Sequence, residues 1–179
     1  MSIDRLKAVL PLPPEHPAKR EADAWAGVER SFTPLPADYK DFIDEYGPGY
    51  VSEFIWVLSP FIENEYYNLM RQTELQLGAL RELKAKHKNE VAYDLFPAKG
   101  GLLPFALTDN GDVLYWKTAG EPVSWSVVVN ASRDPECQEF RTDMTGFLAD
   151  IITKRLICRI FPDDFPSGAP TFQPVERFL

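Results

Sequence analysis

Apolar residues first recur at helical spacing at Trp25, Val28 and Phe32, which predicts a helix from about Asp23 to Phe32. Pro34 and Pro36 interrupt the chain, and LPADYKDFIDEYGPG follows. Its Tyr39, Phe42, Ile43 and Tyr46 fall at i, i+3, i+4 and i+7, so a second helix turns these four toward a core. Pro36 suits its first turn, and Gly47-Pro48 ends it. The other side of that helix carries Asp38, Lys40, Asp41, Asp44 and Glu45 and reads as a solvated, mostly acidic face. The unbroken run Phe54 to Leu58 predicts a strand buried on both faces. The longest helical pattern spans Glu63 to Lys88, with acids at its start and lysines at its end to complement the helix dipole.

The third block is strand-rich. Leu102 to Leu107 and Val113 to Lys117 flank Asp109-Asn110-Gly111-Asp112, where Asn-Gly predicts a tight hairpin with positive φ angles. From Ser124 to Asn130 the pattern alternates, with Trp125, Val127 and Val129 on one side, which predicts a half-buried strand. Met144, Phe147, Leu148, Ile151 and Ile152 give a last helix over about Asp143 to Lys154. The segment from Leu156 is expected to pack over the domain in extended form. Residues 1–20 are rich in proline and charge and read as an extended or loosely packed arm, with one domain over 21–179. The order of helices and strands is that of an α+β domain, its helices packed around a mixed or antiparallel sheet.

Composition narrows the function. Nineteen basic and 27 acidic residues give a net charge of −8 in 179 residues. Such a chain repels phosphate backbones and anionic membranes, so neither direct nucleic-acid binding nor membrane adhesion is expected; a basic protein is the favoured partner. The start of the chain shows no secretory pattern, and Cys137 and Cys158 form no CxxC pair, so a reducing, cytoplasmic setting is expected. Nucleotide, phosphate-loop, zinc-protease and nucleophile-elbow motifs are missing, and two histidines, His16 and His87, cannot build a multi-histidine site. The DNGD turn looks like part of a calcium loop, yet Glu121 misses the required register, so it reads as a plain hairpin. Lys99-Gly100-Gly101 leads into a strand and reads as a loop, not a phosphate cradle. Trp56, Trp116 and Trp125 read as core, with a small-molecule pocket as the lesser alternative. No cofactor or metal is expected.

Taken in order, these segments resemble the SUKH superfamily, the domain shared by a yeast cell-wall synthesis regulator and many bacterial immunity proteins. The resemblance rests on Leu35-Pro36-Ala37-Asp38-Tyr39-Lys40-Asp41-Phe42 with Tyr46-Gly47-Pro48-Gly49, then Leu103-Pro104-Phe105-Ala106, Asp109-Asn110-Gly111-Asp112 and Trp116, then Gly146-Phe147-Leu148. It spans about residues 22 to 155. It implies an α+β fold and a binding function without catalysis, and it carries no catalytic set to transfer. Bacterial members mostly bind and neutralise a cognate toxin, often a nuclease.

The expected function is therefore that of an immunity protein, with an intracellular scaffold or regulatory domain as the alternative. Two acidic regions could face a basic toxin. Asp38, Asp41, Asp44, Glu45 and Glu53 are favoured, because most of them share a rigid helix, which limits the entropy lost on binding. Asp134, Glu136, Glu139 and Asp143 form the second region.

Overall fold

The computed structural model describes residues 2–15, 17, 19–87 and 92–178. Seven strands form one sheet: β1 Gly49–Val51, β2 Ile55–Val57, β3 Leu102–Thr108, β4 Val113–Lys117, β5 Ser126–Asn130, β6 Cys137–Phe140 and β7 Phe172–Pro174. Their spatial order is β6-β5-β4-β3-β2-β1-β7, and every neighbouring pair is antiparallel. Five helices accompany it: α1 Ser2–Lys7, α2 Ala22–Ser31, α3 Ala37–Glu45, α4 Leu69–Lys86 and α5 Met144–Ile152. The α+β class is as the sequence predicts.

The helices divide between the two faces of the sheet. Residues of α1, α2, α3 and α5 join Val51, Ile55, Val57, Phe105, Leu114, Trp116, Val127 and Val129 in the larger core. On the opposite face, Leu77 and Leu80 of α4 cover Leu102, Val113, Tyr115 and Val128. This second layer corrects the half-buried strand expected over Ser124 to Asn130: Val127, Val128 and Val129 are all buried, because α4 shields the side the alternation assigned to solvent. A register shift between Pro104 and Ala106 keeps both Phe105 and Ala106 in the larger core.

The N-terminal segment also departs from expectation. Ile3, Leu6 and Leu10 are buried in the larger core, Arg5 pairs with Asp150 of α5 and the Tyr46 hydroxyl donates to the Leu10 carbonyl at 2.8 Å. Three apolar side chains at i, i+3 and i+7 suffice to dock this short helix, and the prolines come only after it. His16 lies outside the described residues.

Helix α4 starts later than its pattern suggests. Asn68 caps it, accepting from the Met70 and Arg71 amides at 3.0 Å each, so Glu63 and Glu65 precede the helix and do not complement its dipole. Its basic end, Lys84 and Lys86, is as expected, whereas Lys88 lies outside the described residues. In the tail, β7 pairs with β1, and Phe172 lies so close to Gly49 that a Cβ there would overlap its ring and sit 2.6 Å from the Gln173 carbonyl oxygen. The opposite edge is covered differently: the Gln138 amide on β6 donates to the Ile157 carbonyl and accepts from the Arg159 amide.

Candidate functional site

The favoured acidic face of α3 is not an open surface. Asp38 accepts from the Thr145 amide at 2.9 Å and so holds the first turn of α5, beside the Asp143 cap on Gly146. Burial, and to a lesser degree the nearby Asp143 charge, push the Asp38 carboxyl above its usual range against the pull of the Thr145 bonds. Asp44 accepts from the Trp25 indole at 3.2 Å and the Arg20 amide at 3.3 Å. Glu45 pairs with Lys7 of α1 at 2.7 Å. Asp41, half-buried, is raised by burial and by the neighbouring Asp44 and Glu45 charges. The face is less open than expected because α5, α2 and α1 pack around α3 and use Asp38, Asp44 and Glu45, respectively, as ties. The second acidic region is occupied in a similar way. Glu139 accepts from Lys117 at 3.0 Å and Ser126 at 2.9 Å, and these bonds hold its carboxyl below the usual range although burial opposes them.

Glu53 stands apart from the other four acids. It is exposed on the loop Ser52–Phe54 that joins β1 to β2, closed by the Phe54 amide donating to the Val51 carbonyl at 3.1 Å. Ser52 and Glu53 have φ angles of 49° and 53°, a left-handed pair that ordinarily calls for Asn and Gly. The strain is real for side chains with a Cβ, and the loop persists because β1 and β2 are both locked into the sheet.

Beside this loop lies an aromatic surface. Tyr50 of β1 and Trp56 of β2 are direct cross-strand partners on the face opposite the larger core. Their rings stack with centroids 3.9 Å apart and planes within 18°. Tyr67 leans on Trp56 at 5.0 Å, and Phe178 meets both rings edge-on at 5.7 and 4.9 Å. Phe178 is delivered by a 3-10 turn over Val175–Phe178, anchored by the fully buried Val175. Helix α4 covers β3 to β5 on this side and leaves the β1–β2 end to these aromatics. The expectation that Trp56 is core is thus corrected: Trp116 and Trp125 are buried, and Trp56 is half-exposed.

Asp109 organises the surface. Its two carboxylate oxygens each accept one aromatic donor, the Tyr50 hydroxyl on Oδ2 and the Trp56 indole on Oδ1 at 2.7 Å. Burial, followed by the bond and charge of Asp109 and the charge of Glu53, pushes the Tyr50 hydroxyl well above its usual range, so it stays protonated and donating. Among the ion pairs of the described residues, none includes Asp109 or Glu53. The other aspartate of the turn has a different task. Asp112 is buried and accepts from the Thr108 hydroxyl at 2.8 Å and the Ser132 amide at 2.9 Å. The two carboxylates therefore serve separate partners. The expected hairpin forms, with β3 and β4 antiparallel across the turn, but only Gly111 takes a positive φ, 84°, and its amide donates to the Thr108 carbonyl.

A groove of about 300 Å³ runs between α4 and residues 130–135, lined by Leu80, Leu83, Tyr115, Asn130 and Asp134 among others. Cys137 lies close by, its thiol pushed up by burial, and Cys158 is raised by the same cause; both are free. No group of three or more potential metal ligands occurs among the described residues, and none of their helices is long and apolar enough to cross a membrane.

Of the surface, sequence reasoning found Glu53, the Asp109 turn and Trp56 but not their association. The missing signal was Gly49-Tyr50-Val51, a three-residue strand whose central aromatic mirrors the one in Ile55-Trp56-Val57. Phe178 carries no local signal.

A sequence model described as SUKH_6, SMI1-KNR4 cell-wall, matches residues 23–148. It covers α2 through the middle of α5 and all strands except β7. No curated protein and no solved structure matches the chain.

Proposed function

Because the chain belongs to the SMI1-KNR4 cell-wall family of the SUKH superfamily, we propose that it is a non-catalytic protein-binding domain that neutralises a cognate, basic toxin, in the manner of the superfamily's bacterial immunity proteins. The observation that carries this reading is the Tyr50–Trp56–Phe178 aromatic surface, half-buried at Tyr50 and Trp56 and exposed at Phe178, beside the exposed carboxylates of Glu53 and Asp109, which form no ion pair with a described residue. Aromatic residues on a rigid sheet supply contact area at low entropic cost and are enriched at binding hot spots. The net charge of −8 speeds encounter with a basic partner and repels nucleic acid that such a partner would otherwise hold. The two free thiols fit action in the cytoplasm.

The test is co-expression with the protein encoded by the adjacent gene. Cells should survive that protein only when this chain is present, and the two should elute as one complex in size-exclusion chromatography. A neighbour that is harmless or does not bind overturns the immunity reading. Capture of endogenous regulatory proteins in its place would support the scaffold reading.

A further inference from the structure

We propose that the Asp109 surface is an arginine-receiving site, in which a guanidinium of the partner protein forks onto Asp109 against the Tyr50–Trp56 stack. The inference rests on the protein-binding reading and adds the chemistry of the contact. Four observations lead to it.

The first is the state of the carboxylate. A carboxylate offers about four lone-pair directions on two oxygens. At Asp109 one direction on each oxygen is filled by an aromatic donor, which fixes the plane of the group. Each oxygen keeps further acceptor capacity, and a guanidinium engages both oxygens of a carboxylate with two parallel N–H bonds. An ammonium presents a point charge and cannot use both oxygens in that way.

The second is the aromatic setting. Tyr50, Trp56 and Phe178 present ring surface beside the carboxylate, and guanidinium groups pack on such rings with less desolvation cost than ammonium groups. The third is charge. Glu53 lies close enough to act on the Tyr50 hydroxyl, and neither it nor Asp109 is in an ion pair with a described residue. The fourth is the contrast with α3, whose Asp38, Asp44 and Glu45 are engaged internally. Glu53, by contrast, lies beside Asp109 at the aromatic end of the sheet, away from these helix ties.

The test uses three capped hexapeptides of alternating glycine with arginine, lysine or citrulline, titrated into the ¹⁵N-labelled full chain at low ionic strength. The Trp56 indole signal, assigned through Trp56→Phe, reports binding. The arginine peptide should saturate this signal and bind at least threefold more tightly than the lysine peptide, while the citrulline peptide should leave it unmoved. Asp109→Asn should weaken the arginine peptide at least fivefold. Tyr50→Phe, which keeps the ring and removes one of the two donors that orient the carboxylate, should weaken it by a smaller factor and serves as the second variant if Asp109→Asn does not fold. Equal affinity for lysine and arginine, or shifts centred on α3 and absent from Trp56, would overturn the proposal. Because the titration needs no toxin, its outcome separates from that of the protection assay. Peptide binding without protection removes the immunity reading alone, and protection without peptide binding removes the arginine site alone.

Discussion

Single residues carry two measurable consequences. Glu53 has a left-handed φ with a side chain that disfavours it, at a cost of about 1–2 kcal/mol. Glu53→Gly relieves this strain but adds freedom to the unfolded chain, so a net gain of about 0.5–1 kcal/mol is expected in urea unfolding. A loss of stability would mean that the loop is not strained as described. The strain falls next to the aromatic surface, where a fixed loop serves binding better than a relaxed one. Asp38 gives a pH signature. Its folded pKa is raised, chiefly by burial, so the folded state holds the proton more strongly than the unfolded chain. That contribution is present at low pH and fades as pH rises from the ordinary aspartate value through the raised one. The melting temperature of wild type minus that of Asp38→Asn should therefore fall across this interval and level off above it. A difference that grows with pH would show that the Thr145 bonds outweigh burial.

At the scale of elements, the N-terminal helix offers the sharpest test. Leu6 has no exposed surface and sits among residues of α3 and α5 in the larger core. Leu6→Ala should destabilise the domain by about 2–5 kcal/mol, measured by thermal or denaturant unfolding. A loss under about 0.5 kcal/mol would return residues 2–10 to the status of a loose arm. The same helix shows where sequence patterning stops being informative. Helices α3 and α5, strands β3 and β4 were legible because each carries a full period of apolar positions and a clear boundary residue. Helix α1, with two buried positions inside six residues, is too short to show a period. Strands β1 and β7 have three residues each, and β6 has four with one buried, so none of them alternates long enough to be seen. Val128 illustrates a second limit: a valine that shares its face of the strand with Ser126 and Asn130 does not announce the helix, some fifty residues earlier in sequence, that covers it. The candidate surface was legible only in fragments for the same reason, since Tyr50, Trp56, Asp109 and Phe178 come together through strand pairing and not through proximity in sequence.

For the whole molecule, charge and shape divide the labour of recognition. The excess of acids acts at long range, and its effect on the association rate should be screened by salt. Surface plasmon resonance against the adjacent-gene protein should show association slowing at least tenfold between about 20 and 500 mM salt, with dissociation changing much less. An association rate indifferent to salt would assign the charge to solubility alone. Reversal of Asp41 and Glu45 to lysine is a poor probe of this effect, because Glu45→Lys also breaks the tie to Lys7 and sets two cations of α1 and α3 against each other.

The pairing of β7 with β1 sets a schedule for synthesis. Glu53 and Gln173, which touch at 3.3 Å, are separated by 120 positions. While the ribosome is still adding the segments between them, β1 has β2 on one side and an open row of amides and carbonyls on the other. A nascent chain at that stage exposes a sheet edge that can pair with another nascent chain on the same message. Phe172 closes the gap over Gly49 only once translation has passed it, so chains released early by a premature stop should accumulate in aggregates and not as shortened, soluble binders.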